Sequence, residues 1–151
     1  MTYPDLRITF LGTGTSGGVP MIGCDCAICS SENKKDKRLR SSILVQSETT
    51  TLAVDTTPDF RTQMLRENVK KLDAVLFTHP HKDHIAGLDD IRAYNFFQHK
   101  PMEVYANLLT QEGLQREFYY VFSEKKWELK IEIISSAYAN LNSTRNNSII
   151  Q

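Results

Sequence analysis

The most informative part of the sequence is Thr78-His79-Pro80-His81-Lys82-Asp83-His84. Of the 4 histidines in the chain, three lie in this stretch, together with one aspartate. An apolar run over residues 73–77 precedes it and predicts a buried strand. Apolar residues at helical spacing follow it and predict a helix: Ile85, Leu88, Ile91 and Tyr94. The stretch therefore lies where a strand ends and a helix begins, which is where layered α/β folds bind ligands.

The spacing within this stretch suits two metal ions. His79 and His81 are two residues apart in an extended segment, so they point the same way and can hold one ion. Asp83 and His84 lie at the turn into the helix and can face a second ion, which makes them candidate catalytic residues. Imidazole with carboxylate suits zinc, iron or manganese. The alternative, that Asp83 is only a helix N-cap, accounts for one residue of the four.

The chain resembles the metallo-β-lactamase superfamily in this His-x-His-x-Asp-His pattern. It also resembles the subgroup typified by the phosphoribosyl cyclic phosphodiesterase of phosphonate breakdown, through residues 10–20, 24–29, 36–42, 54–61 and 87–92. The resemblance implies an α/β fold of αββα layers. It also implies hydrolysis of a phosphodiester, such as a small cyclic phosphate, by a metal-bound hydroxide between two divalent ions, zinc or manganese.

The chain departs from this family in length. In family members the second half supplies another histidine for the first ion, an aspartate that bridges both ions and a last histidine for the second ion. Beyond His84 the sequence contains one histidine, His99. We therefore expect the fold truncated to its first half over residues 1–134, followed by a loose tail over residues 135–151, which is rich in Ser and Asn.

The 3 cysteines of the chain are clustered as Cys24, Cys26 and Cys29. An odd, clustered set in a reducing compartment argues for metal binding rather than disulfides. Three thiolates lack one donor of a closed tetrahedral zinc site, and the resemblance implies a histidine from the second half as that donor. We expect one structural zinc here in a longer relative. The alternative is three ordinary loop cysteines.

Two further motifs leave alternatives open. Residues 12–17 fit the G-x-G-x-x-G pattern of dinucleotide-binding turns, but no helix pattern follows the third glycine. We interpret them as a tight turn whose glycines let the backbone pass near the metal pocket. Asp55 follows a predicted strand and is either a helix cap or, through the resemblance, a carboxylate that holds a ligand imidazole in one tautomer.

Periodicity predicts strands over residues 6–11, 42–46, 52–55, 75–78, 103–105 and 129–134. It predicts helices over residues 58–67, 85–99 and 108–122, with Leu65 facing inward in the first helix and Leu109 among the apolar residues of the third. A lone half of an αββα fold would leave one sheet face open to water. We expect a second copy or a separate second-half chain to cover that face. Its candidate members are Val45, Leu52, Val54, Val75 and Phe77.

Composition narrows the functional classes. The 18 basic and 18 acidic residues cancel to a net charge of +0, which gives no support for nucleic-acid binding. No apolar run is long enough to span a membrane, and the N-terminal residues carry no secretory pattern, so a cytoplasmic location is the default. The expected partner is a small phosphodiester substrate. The rival hypotheses are a non-catalytic metal-binding or interaction module that lacks the second-half ligands, and thioester or lactam cleavage on the same fold.

Overall fold

The structure is a computed structural model that describes residues 5–122 and 132–134. Within these residues, 6 strands form one sheet, and their order across the sheet is their order along the chain. They are β1 (Arg7–Gly12), β2 (Ser42–Gln46), β3 (Thr51–Val54), β4 (Ala74–Leu76), β5 (Glu103–Tyr105) and β6 (Glu132–Ile134). The pairs β1–β2 and β2–β3 are antiparallel, whereas the strands from β3 to β6 run parallel.

Helices connect the parallel strands, which cannot be joined by a tight turn. The described helices are α1 (Phe60–Arg66), α2 (Lys82–Ile85), α3 (Arg92–Gln98), α4 (Leu108–Glu117) and α5 (Tyr119–Phe122). Short 3-10 turns lie at Lys34–Asp36 and Leu88–Ile91. None of the helices among the described residues has the length and apolar character needed to cross a membrane.

The core lies between one face of the sheet and the helices. Side chains alternate between the two faces of a strand, so register neighbours share a face. One such row crosses four strands and is buried: Leu44, Ala53, Val75 and Val104. Apolar side chains of the helices and turns pack against that row, including Phe60, Ile85, Leu88, Ile91 and Leu114. Phe77 is also in this core.

The opposite face of the sheet, which we call the open face, is also apolar. Two rows of register neighbours cross it, Ile8–Val45–Leu52–Ala74 and Phe10–Ile43–Val54–Leu76. Ile8 is 58% exposed and Phe10 is 68% exposed. Three of the residues expected on this face lie there, namely Val45, Leu52 and Val54. Val75 and Phe77 do not, because they point into the core.

The predicted helix over residues 85–99 differs from the structure. The chain forms α2, then a 3-10 turn at Leu88–Ile91, then α3. The break occurs at Gly87, whose N–H donates to the carbonyl oxygen of Thr56 at 2.8 Å. A side chain at Gly87 would collide with the carbonyl oxygen of Thr57. The backbone is therefore held against the end of β3 instead of continuing a regular helix.

Other predicted elements agree within one or two residues at most of their ends. The helix predicted over residues 108–122 is divided at Phe118 into α4 and α5. Leu65, which is predicted to face inward, is 60% exposed, and Leu109, one of the apolar residues of the third predicted helix, is 68% exposed. Met64 and Leu114 of the same two helices are buried in the core. Residues 129–131 and the predicted tail over residues 135–151 lie outside the described part of the chain.

Candidate metal centre

The histidine stretch lies at the carboxyl end of β4. The N–H of Phe77 still pairs with Tyr105 of β5 at 2.8 Å, and the chain then leaves the sheet. His81 has extended backbone angles and is the N-cap residue of α2. The imidazole of His79 lies 4.6 Å from that of His81 and 3.9 Å from that of His84, measured between ring centroids. The structure therefore brings the three predicted histidines together at one point.

Asp83 and His84 face each other in the first turn of α2. The Nε2 atom of His84 lies 3.3 Å from a carboxylate oxygen of Asp83, so both atoms can reach one ion. Within the described residues, this stretch does not place three ligand atoms within 4.8 Å of one another, whereas the cysteines do.

Asp55 orients this cluster from the end of β3. Its carboxylate is buried and accepts hydrogen bonds from the N–H and the hydroxyl of Thr78, both at 2.8 Å. The same carboxylate lies 2.7 Å from Nδ1 of His84. The N-cap residue of α1 is Asp59, not Asp55. Of the two interpretations of Asp55, the hydrogen bonds favour the one in which it holds a ligand imidazole.

The conformation of Asp55 explains why this residue type suits the position. Its φ angle is 63°, in the left-handed region that Asp and Asn tolerate better than other side chains. The N–H of Asp55 donates to Leu76 at 2.8 Å, which ties the left-handed turn to β4. The carboxylate is thus fixed beside the start of the histidine stretch.

Two supporting contacts were not predicted from the sequence. Gly113 of α4 lies so close to Pro80 that a methyl group on it would be 2.5 Å from the Pro80 Cβ atom. Arg40 and Asp59 form an ion pair at 3.0 Å, and the Arg40 Nε atom donates to Ser16 at 2.7 Å. The first contact supports the loop between His79 and His81. The second ties the glycine-rich turn to α1. Both contacts join residues that are far apart in the chain, so no local sequence motif predicts them.

The glycine-rich turn packs against the segment 38–40. The N–H of Gly14 donates to Leu39 at 2.8 Å. A methyl group on Gly14 would lie 2.7 Å from the carbonyl oxygen of Arg38. The glycines are therefore needed for a close backbone approach. No helix begins at Gly17, in agreement with rejection of the dinucleotide pattern.

The cysteines form a second candidate metal site. The sulfur atoms of Cys24, Cys26 and Cys29 all lie within 4.8 Å of one another. Hydrogen bonds from the backbone of Cys29 and from the side chain of Cys24 lower the pKa of Cys26 to about 7. A lower pKa favours the thiolate at Cys26, the form that binds metal. At Cys29 the Met21 N–H lowers the pKa, but hydrogen bonds with the Cys24 and Cys26 side chains and burial outweigh it and raise that pKa. His99, the remaining histidine, ends α3 in a left-handed conformation with φ 52°.

A family model described as a beta-lactamase superfamily domain matches residues 50–141, which include the histidine stretch. The chain belongs to the metallo-β-lactamase superfamily. Among solved structures, a diphosphatase from the PhnP family is 44% identical with a TM-score of 0.76, over 86% of this chain and 51% of that protein. Zn²⁺-bound PqqB from Methylobacterium extorquens is 26% identical with a TM-score of 0.67, over 85% of this chain and 46% of that protein.

The curated relatives include an octanoyltransferase of Porphyromonas gingivalis, 41% identical over 123 residues, which are 81% of this chain and 25% of that protein. The chain thus spans about half the length of the two solved relatives and a quarter of this curated one. The comparisons confirm the predicted family and the predicted α/β metallo-β-lactamase fold. The described sheet and its helices correspond to one αβ half of the αββα layers.

Proposed function

We propose that this chain carries half of the active site of a metal-dependent hydrolase that cleaves phosphodiester or diphosphate bonds. The observation that carries the proposal is the arrangement at the end of β4. Nδ1 of His84 is held by Asp55, Nε2 of His84 faces Asp83, and the imidazole of His79 lies 3.9 Å away. The 44% identity to a PhnP-family diphosphatase supports the substrate class.

The residues at this point suit zinc or manganese, because their free donors are imidazole nitrogens and a carboxylate. His79 and His81 would hold one ion, and Asp83 with His84 would hold the other. Divalent ions placed here supply Lewis acidity that polarises a phosphoryl oxygen and acidifies water. Asp55 keeps His84 in one tautomer and orientation, and Pro80, which packs against Gly113, lies between the two histidines of the first ion.

The cysteine cluster has a structural role in this proposal. Three sulfur donors within 4.8 Å would hold a zinc ion once a fourth donor is added. Such an ion would fix the loop between β1 and β2. Because closed four-coordinate zinc sites leave no open position, this ion would take no part in the chemistry.

A second candidate function is metal binding without turnover. It is favoured by the number of ligands, because in the described residues each catalytic ion would have only two. The described residues of this site supply no carboxylate to lie between two ions, so they would hold two cations and orient an attacking water poorly. We therefore expect the chain alone to be weak or inactive in hydrolysis even where it binds metal.

The discriminating experiment measures hydrolysis of a chromogenic phosphodiester and of a diphosphate ester, with added zinc or manganese. A chromogenic octanoyl ester is a third substrate, because similarity to an octanoyltransferase favours acyl cleavage as an alternative. His81→Ala is the test variant. His99→Asn is the matched control, because it removes an imidazole outside the cluster from a position with φ 52° that asparagine tolerates.

Weak phosphodiester or diphosphate turnover that is lost in His81→Ala and kept in His99→Asn supports the hydrolase proposal. Metal binding that depends on His81, with no turnover of any substrate, supports the non-catalytic module. Cleavage of the octanoyl ester alone would contradict the proposed substrate class. Elemental analysis of the dialysed variants, run in parallel, separates loss of metal from loss of folding.

A further inference from the structure

Thr78 joins two of the candidate ligands through its hydroxyl group. The hydroxyl oxygen lies 2.8 Å from Oδ2 of Asp55 and 3.0 Å from Nδ1 of His79. The same Oδ2 atom lies 2.7 Å from Nδ1 of His84. A continuous chain of hydrogen bonds therefore runs from His84 through Asp55 and Thr78 to His79.

The direction of each hydrogen bond follows from the groups involved. An ionised carboxylate can only accept, so Nδ1 of His84 carries a proton and donates it to Asp55. The Thr78 hydroxyl also donates to Asp55, since otherwise two acceptor oxygens would face each other at 2.8 Å. Because the hydroxyl donates its only proton to Asp55, it can act towards His79 only as an acceptor. Nδ1 of His79 must then be the donor.

We propose that Thr78 is a positioning residue that transmits the orienting effect of Asp55 to His79. One carboxylate thereby sets the tautomer of two imidazoles, His84 directly and His79 through the hydroxyl. Both rings keep the proton on Nδ1 and present a free Nε2 lone pair. In the proposed site these two histidines belong to different ions, so Thr78 couples the geometry of the two ion positions. The inference rests on the proposed function for its metal ligands.

Backbone contacts hold Thr78 in place for this role. Its N–H donates to Oδ1 of Asp55 at 2.8 Å, so the carboxylate accepts hydrogen bonds from both the N–H and the hydroxyl of Thr78. The preceding residue, Phe77, is buried and is bonded to β5. A hydroxyl that only capped the end of β4 would need one hydrogen-bond partner, whereas the Thr78 hydroxyl has two, Asp55 and His79.

The test compares Thr78→Val, which removes the hydroxyl and keeps the branched shape, with Thr78→Ser, which keeps the hydroxyl. The first measurement is the histidine tautomer in the metal-free chain, read from long-range nitrogen–proton NMR correlations. His79 is assigned with a His79→Asn variant. We expect Nδ1–H at His79 in the unmodified chain and in Thr78→Ser, and a loss of that preference in Thr78→Val.

The second measurement is the zinc affinity of the histidine stretch, by competition with a chromogenic chelator in a chain whose three cysteines are replaced by serine, because the cysteine cluster would bind zinc as well. Loss of a partner that orients a metal-binding histidine reduces affinity about 10- to 100-fold, so we expect a fall in that range for Thr78→Val and nearly none for Thr78→Ser. A His79 proton on Nε2 in the unmodified chain would overturn the proposal, even if Thr78→Val did not fold. Equal zinc affinity in both variants would also overturn it.

These measurements are independent of turnover. The tautomer is read without metal or substrate, so a failure to hydrolyse phosphodiesters would leave the Thr78 result standing. Conversely, an active enzyme with His79 in the other tautomer would sustain the proposed function and refute the role of Thr78.

Discussion

Asp55→Asn changes one oxygen of the carboxylate to an amide nitrogen and should disable His84 as a ligand. Asparagine tolerates the φ angle of 63° at this position, so the backbone is expected to stay in place. The remaining carbonyl oxygen can still accept from the N–H of Thr78. The amide NH₂ then faces Nδ1 of His84, which was 2.7 Å from the carboxylate, and two donors cannot share that space.

The imidazole can relieve this conflict by moving its proton to Nε2. That exchange makes Nδ1 an acceptor for the new amide, but it removes the lone pair that faces Asp83. The expected loss of zinc affinity is about 10- to 100-fold, which equals ~1.4–2.7 kcal/mol of binding free energy. Two hydrogen bonds to a charged acceptor are also weakened, so the free energy of unfolding should fall by ~1–3 kcal/mol.

Zinc affinity is measured by chelator competition in a chain whose three cysteines are replaced by serine, and unfolding is measured by denaturant titration. Asp90→Asn is the matched control, because it makes the same chemical change at an exposed carboxylate in the 3-10 turn before α3. We expect the control to match the unmodified chain in both assays. If Asp55→Asn bound zinc as tightly as the control, with His84 still protonated on Nδ1, the reasoning about Asp55 would be refuted.

Three further predictions concern the surroundings of the site. Gly113→Ala should displace Pro80 and lower zinc affinity several-fold without altering any ligand, because the added methyl would lie 2.5 Å from the Pro80 Cβ atom. Unchanged affinity in a folded variant would mean that the loop moves without disturbing the ligands. Burial raises the pKa of Asp73, but the Thr51 N–H and nearby lysines outweigh it and leave that pKa below its ordinary value. The stabilisation from Asp73 is therefore present above the unfolded pKa of ~3.9 and lost as pH falls through the lower folded value. Asp73→Asn should melt up to about 4 °C lower at pH 7, and a difference that persisted undiminished at pH 2 would contradict this assignment. The open face should make the chain self-associate through a second copy, so scattering mass should rise with concentration and fall in Phe10→Lys; a monomer at high concentration would exclude this association.

The sequence predicted the sheet better than the helices. Strand boundaries were close because alternating apolar residues and the polar turn between β2 and β3 are local signals. The helix over residues 85–99 was predicted as continuous because Ile85, Leu88 and Ile91 keep a helical period, and all three are buried. The break at Gly87 depends on a hydrogen bond to Thr56, a residue distant in the sequence. No local pattern reveals such a contact.

The candidate metal centre also was predicted only where the signals are local in the sequence. The four metal-binding candidates are adjacent in sequence, so their spacing alone indicated them. The roles of Thr78, Gly113 and Arg40 depend on contacts with residues far along the chain. The sequence indicated Asp55 as a candidate but left its role open. Its left-handed backbone and its position beside Thr78 depend on the pairing of β3 with β4, which the sequence does not show.

The order of strands in the sheet has a consequence for synthesis of the protein. Each strand lies beside the one that precedes it in the chain, so every strand that leaves the ribosome finds its neighbour already made. The histidine stretch emerges before α4, and until then Pro80 has no Gly113 to rest against. Asp55 has already been made when the histidine stretch emerges, but the contact that supports Pro80 forms only later. We therefore expect the loop between His79 and His81 to reach its final conformation only after α4 has docked.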